Sequence, residues 1–142
     1  MNVIKWLEKV RVMDEQIDKM LAERDRLMFI ATDASAKEIT DMPIDHGGTV
    51  AQKMQDAVCA IVDLDKKIDR LTDKYVDHKQ QVINALRCLP DFEHRILYEH
   101  YIKYHTWVDI AVHESYSTVQ LWRIRKGAYY MLERHLECNA NL

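Results

Sequence analysis

The stretch Thr106-Trp107-Val108-Asp109-Ile110-Ala111, followed by Tyr116-Ser117 and then by Leu121, Ile124, Ala128 and Leu132, decides the fold of this chain. Trp107, Ile110 and Ala111 mark one face of a short helix, and the polar run His113 to Ser115 interrupts it. Ser117 can then accept hydrogen bonds from the unpaired amides that open a second helix. Leu121, Ile124, Ala128 and Leu132 recur on one buried face of that helix. Its other face carries Thr118, Gln120, Trp122, Arg123, Arg125 and Lys126. A helix that is apolar behind and cationic, amide-bearing and aromatic in front suits a DNA major groove, so a helix-turn-helix is expected here.

Composition extends the helical reading to the whole chain. In 142 residues there are only three Gly and two Pro, with 48% hydrophobic and 30% charged residues, which favours an all-α protein of one domain or two small ones. The net charge of −3 does not mark a basic nucleic-acid binder, yet the charge is unevenly placed. Between Ser117 and Leu136, Arg123, Arg125, Lys126 and Arg134 stand against Glu133 alone, while Asp91 to Tyr116 is acidic. Basic charge is therefore concentrated on the expected recognition helix.

Two heptad seams precede that region. Val3, Trp6, Val10, Met13, Ile17, Met20, Leu27 and Ala31 alternate three- and four-residue steps, with Arg24 at one seam position. A second series runs through Met54, Ala57, Ile61, Leu64, Ile68, Leu71, Tyr75, His78, Val82, Ala85 and Leu89. Between them Thr32 to Thr49, with Asp33, Ser35, Asp41, Pro43 and Gly47-Gly48, reads as a loop. The expectation is an antiparallel coiled-coil hairpin over residues 1–89, with Val3 near His78 and an apolar overhang from Lys79 to Leu89 that needs cover. Because two helices alone bury little surface, Ile17, Met20, Ile61, Leu64, Ile68, Leu71 and Tyr75 are expected to support a homodimer or higher oligomer. Arg24 either extends to water or pairs with an acid across the seam, and Lys66, Arg70 and Lys74 each precede an aspartate by three residues, which predicts an exposed ion-pair ladder. Leu89-Pro90-Asp91 ends the long helix and sets the boundary of a second domain, residues 90–142.

These residues resemble a family of small phage and prophage proteins of Gram-positive bacteria, related to the RinA and ArpU transcriptional regulators. The resemblance rests on Val10-Arg11-Val12-Met13-Asp14, Asp41-Met42-Pro43 with Gly47-Gly48, Ile61-Val62-Asp63-Leu64, Leu89-Pro90-Asp91, Arg95-Ile96-Leu97, Tyr101-Ile102 and the helix-turn-helix stretch. The last third also looks like the promoter-binding fourth region of bacterial sigma factors. That likeness implies that Ser117 caps the recognition helix and that Thr118, Val119, Gln120, Trp122 and Arg123 face DNA. Glu114 stands where such domains usually keep an apolar residue, Ser115 where glycine commonly makes the turn, and Trp122 where arginine is frequent. Arg123 is then placed for a guanine edge and Gln120 for adenine, with Arg125, Lys126 and Arg134 on phosphates. The implied function is a sequence-specific transcription regulator acting on double-stranded DNA in the host cytoplasm. The alternative is an adaptor that engages RNA polymerase or another regulator through the sigma-like domain.

Other chemistry finds little footing. Cys59, Cys88 and Cys138 form no C-x-x-C pair and read as buried or incidental thiols, and His94, His100, His105, His113 and His135 fit no paired zinc spacing. Trp6 and Trp107 read as core or interface residues, and His78 as a satisfied seam residue. No nucleophile elbow, phosphate-binding glycine loop or catalytic carboxylate pair is found, so neither an enzyme nor a cofactor is expected. No apolar run reaches the roughly 18 residues of a membrane span.

Overall fold

Apolar residues recurring every three to four positions, with good helix formers between them, produce the five helices of the computed structural model, which describes residues 2–41 and 47–141. They are α1 (Val3–Asp41), α2 (Gly47–Leu86), α3 (Asp91–Tyr101), α4 (Trp107–Glu114) and α5 (Thr118–Ala140), with no strand among the described residues. The protein is all-α. The loop expected from Thr32 is shorter than the sequence pattern implies, because α1 runs to Asp41 and α2 begins at Gly47. Ala34, Ala36, Lys37 and Glu38 sustain helix at one added hydrogen bond per residue, and isolated Asp33 and Ser35 are too weak to stop it. Met42 and Pro43 lie outside the described residues.

The chain divides into two compact units, and the division does not fall at Pro90. The first joins the residues through Asp14 to those from Tyr75 onward; the second is Glu15–Lys74. The reason lies in the overhang. Val82, Ala85, Leu86 and Leu89 share one core with Val3, Leu7 and Val10 of α1 and with Ile96, Leu97, Ile110, Leu121 and Leu132 of α3 to α5. The apolar stripe that needed cover thus has it within the same chain, and no second subunit is required for that purpose. Leu7, absent from the two-helix seam, is fully buried because α3 to α5 widen the enclosed arc of α1.

In this first unit the ends of α1 and α2 run antiparallel. His78 Nε2 lies 2.8 Å from the Trp6 carbonyl oxygen, so the ring donates there from Nε2, and it meets the Trp6 ring edge-on at 5.5 Å. The register is displaced by about one helical turn from the expected Val3–His78 pairing.

In the second unit Ile17, Ala57, Ile61 and Ile68 form the buried seam, and Met20, Leu64 and Leu71 are half-buried at its edges. Ile17, Ile61 and Ile68 hold α1 to α2 within the chain, so they are not an open surface for a partner. Arg24 pairs with Asp65 across the seam, and that hydrogen bond holds its guanidinium pKa above the ordinary value. The expected ladder on α2 is not formed: Arg70 donates from Nε to the Lys66 carbonyl instead, at 3.3 Å. All three cysteines are free and exposed, not buried as one reading of them had it. No helix among the described residues is long and apolar enough to cross a membrane.

Candidate nucleic-acid interface

Each helix of the α4–α5 pair starts on a hydroxyl. Thr106 Oγ1 accepts from the Asp109 amide at 3.2 Å, and Ser117 Oγ accepts from the Gln120 amide at 3.1 Å. The second cap is reciprocal. Gln120 Oε1 accepts from the Ser117 amide at 3.1 Å, closing a capping box that satisfies two donors at the start of α5. The Ser117-x-x-Gln120 spacing is the signal for it. In the free protein Gln120 thus fixes the first turn of the helix.

The turn between α4 and α5 is made by Ser115 in the left-handed region, φ 59° and ψ 36°. Its amide and that of Tyr116 bond back to the carbonyl of Ala111, which satisfies the end of α4. Glu114, the acid at a usually apolar position, accepts two hydrogen bonds from Arg95 of α3, from Nε and from Nη2, both at 2.9 Å. Its side chain is only 13% exposed, and Arg95 in turn lies over Phe92. The acid therefore does what an apolar residue would do there, pinning α4 to α3. Glu99, His113 and Glu114 bring possible ligand atoms within 4.8 Å of one another, but both Glu114 oxygens are already held by Arg95.

The turn into α4 is tied down by Tyr104, the other non-glycine residue at positive φ (65°) among the described residues. Its hydroxyl donates to Asp14 Oδ2 at 2.8 Å, and the Arg11 guanidinium sits 5.7 Å from its ring centre. Partial burial, and then the bond to Asp14, push the phenol's ionisation above the ordinary range. A bulky residue is strained in that conformation, so the contacts of Tyr104 must hold it there.

Leu121, Ala128 and Leu132 of α5 are buried and Ile124 is half-buried, as the spacing predicts. At 100° per residue, Trp122, Lys126, Arg123 and Arg134 then fall within an arc of about 120° on the opposite side, together with Val119 and Tyr130. All six are exposed. Trp122 is 46% exposed, and Lys126 Nζ lies 3.9 Å from its ring centre; Arg134 sits over Tyr130 at 5.9 Å. Ser117 and Thr118 are also exposed, at the entrance to the helix.

Arg125 differs from its neighbours. It is half-buried, with its guanidinium 4.4 Å from the Trp107 ring centre, while His100 stacks on Trp107 at 4.0 Å and 19°. His100 Nδ1 lies 2.7 Å from the His105 carbonyl, and burial pushes its pKa below the ordinary value. Arg125 is therefore a flank residue bound to its own core, and the outer face consists of Trp122, Arg123, Lys126 and Arg134. Sequence spacing already signals this difference, since Arg125 lies four residues after Leu121 and three before Ala128, at the edge of the buried stripe; its partner Trp107 comes from another helix.

No protein-family model matches the chain, and neither a curated protein nor a solved structure matches it.

Proposed function

We propose that this chain is a sequence-specific DNA-binding transcription regulator of the RinA and ArpU type, with α5 entering the major groove and the α1–α2 hairpin supporting self-association in a bacterial cytoplasm. The observation that carries this reading is the outer face of α5, where Trp122, Arg123, Lys126 and Arg134 share one exposed arc. Ser117, capped against Gln120, starts that helix with a fixed first turn, and the positive end of the helix dipole there favours a phosphate. Arg123 reads a guanine edge, Lys126 and Arg134 bind phosphates, and Trp122 stacks on sugar or methyl groups. Gln120 reads adenine only by giving up its cap, and Arg125 reaches phosphate only by leaving Trp107. No cofactor or catalytic step enters this reading.

One observation favours an adaptor that engages RNA polymerase or another protein: Val108, Val112 and Val119 are 61%, 75% and 58% exposed beside the same turn. Such apolar exposure is unusual for a surface that meets only phosphates and bases. Titrating the full chain with duplex DNA at falling salt separates the two. A DNA reader shows affinity that rises steeply as salt falls, and Lys126→Ala lowers the salt slope by about one unit for all duplexes. Arg123→Ala costs about 1 to 3 kcal/mol on a selected site and relaxes preference there. Salt-independent or absent binding removes the DNA reading and leaves the adaptor.

A further inference from the structure

The second unit carries two faces of opposite character, one on each side of the α1–α2 seam. On one side an open groove of about 600 Å³ is lined by Lys19, Lys67, Arg70 and Lys74 around a floor of Met20 and Leu71. No carboxylate lines it. Among the described residues none of these four cations is in an ion pair, and Arg70 is engaged only through Nε with its own helix. On the other side Leu21, Met28, Val58 and Val62 are 40 to 51% exposed. Asp25 and Asp69 stand exposed among them. The assignment of sides follows from helical geometry: Leu21, Asp25 and Met28 lie clockwise of the α1 seam where Lys19 lies anticlockwise, and Val58, Val62 and Asp69 relate in the same sense to Lys67 and Lys74 on antiparallel α2.

We infer that the cationic groove of one copy receives the acid-bordered apolar flank of a second copy, so that hairpins associate face to back. This deepens the self-association proposed above and rests on it. Both partners are present on one chain: an apolar floor edged by four cations and an apolar ridge edged by aspartates. The groove centres near residues 18 and 71, the ridge near residues 25 and 63, so successive copies are staggered by about 10 Å. Because the two surfaces lie on opposite sides of the hairpin, the contact is heterologous. It closes into a ring or continues, and it does not stop at a two-fold dimer.

The test is sedimentation velocity of the full chain over a range of concentration, at low and high salt, with two charge-reversed variants. K19E/K67E/R70E/K74E makes the groove acidic, and D25K/D69K makes the ridge basic; all six positions are exposed, and circular dichroism checks that the helices persist. The unmodified chain is expected to grow beyond dimer with concentration and to weaken as salt rises. Each variant alone is expected to associate about tenfold or more weakly, since like charges then meet. An equimolar mixture of the two is expected to regain association beyond dimer, because each groove again finds an opposite ridge. Growth that stops at dimer, or variants that associate as the parent does, overturns this inference while leaving self-association standing. A chain that stays monomeric throughout overturns both.

Discussion

Among the described residues, the nine large side chains that lose essentially all contact with solvent, Leu7, Val10, Val82, Leu86, Ile96, Leu97, Ile110, Leu121 and Leu132, all belong to the first unit. In the second unit the best-enclosed residues among those described are Ala57 at 4% exposure and Ile17, Ile61 and Ile68 at 8 to 9%. Both regions use the same α1 and α2 helices with the same heptad spacing. The difference lies in what covers the seam: α3 to α5 close it in the first unit, and among the described residues α1 and α2 have only each other in the second. Two helices enclose a line, not a volume, so their seam residues keep one edge in water.

The largest expected effect tests this contrast directly. Leu97→Ala removes a fully enclosed side chain and is expected to cost about 3 to 4 kcal/mol, whereas Ile61→Ala in the open seam is expected to cost about 2 kcal/mol or less. Urea unfolding at low protein concentration reads both. Equal costs would mean that the seam of Glu15–Lys74 is as dry as the core of the first unit. Hydrogen exchange gives the same comparison without mutation, with amides of the second unit opening at lower free energy.

How far the sequence discloses the structure also differs between the two regions. Heptad spacing locates both long helices and nearly every seam residue, because a period of three and four residues is a local property of the chain. It cannot show which end of the hairpin gains extra cover, so Leu7 is missed and the boundary falls at Pro90 instead of within α1 and α2. At the recognition helix the capped start and buried stripe are legible from Ser117, Leu121, Ala128 and Leu132. The same spacing sets Arg125 beside the buried stripe, but its seat over Trp107, on which His100 stacks, is not legible, since those rings arrive from α4 and α3. The same holds for Glu114, whose Arg95 partner is nineteen residues away in sequence.

The next effect concerns how the first unit holds its strained turn. Tyr104→Phe keeps the ring and removes the hydrogen bond to Asp14, leaving a carboxylate acceptor without its donor. A loss of about 1.5 kcal/mol is expected, as for hydrogen bonds to charged groups. Thermal unfolding measures it, and an unchanged midpoint would place the support of the positive-φ turn elsewhere.

Acid should act on the first unit before the second. Every histidine among the described residues lies in the first unit, and burial depresses the pKa of His100 below its ordinary 6.5. The unfolded chain therefore binds a proton more readily than the folded one, and stability rises with pH through this interval. The contribution is fully present above the unfolded value and is lost as pH falls below it toward the lower folded value. The melting temperature is expected to drop between about pH 7 and pH 5.5, and His100→Gln to flatten that drop. An identical slope in the variant would assign the acid sensitivity to another group.

The smallest expected effects fall on two positions of the helix-turn-helix, and together they separate folding from DNA contact. Ser115 holds a left-handed turn that glycine adopts without strain, so Ser115→Gly is expected to gain about 0.5 kcal/mol after the extra freedom of the unfolded chain is subtracted. Gly127 lies in the middle of α5, and a Cβ built there meets nothing within 4 Å. Gly127→Ala is therefore expected to stabilise the helix by about 0.5 to 1 kcal/mol. Gly127→Glu should keep most of that gain, because glutamate is also a good helix former, but it sets a carboxylate one turn from Arg123 and beside Tyr130 on the outer face. If that face enters a DNA groove, the alanine variant binds as the parent does and the glutamate variant, though equally or more stable, binds all duplexes more weakly. If α5 serves only as a bundle helix, both variants follow their stability gain and DNA distinguishes neither. Melting temperatures paired with duplex titrations on the same preparations decide between the two.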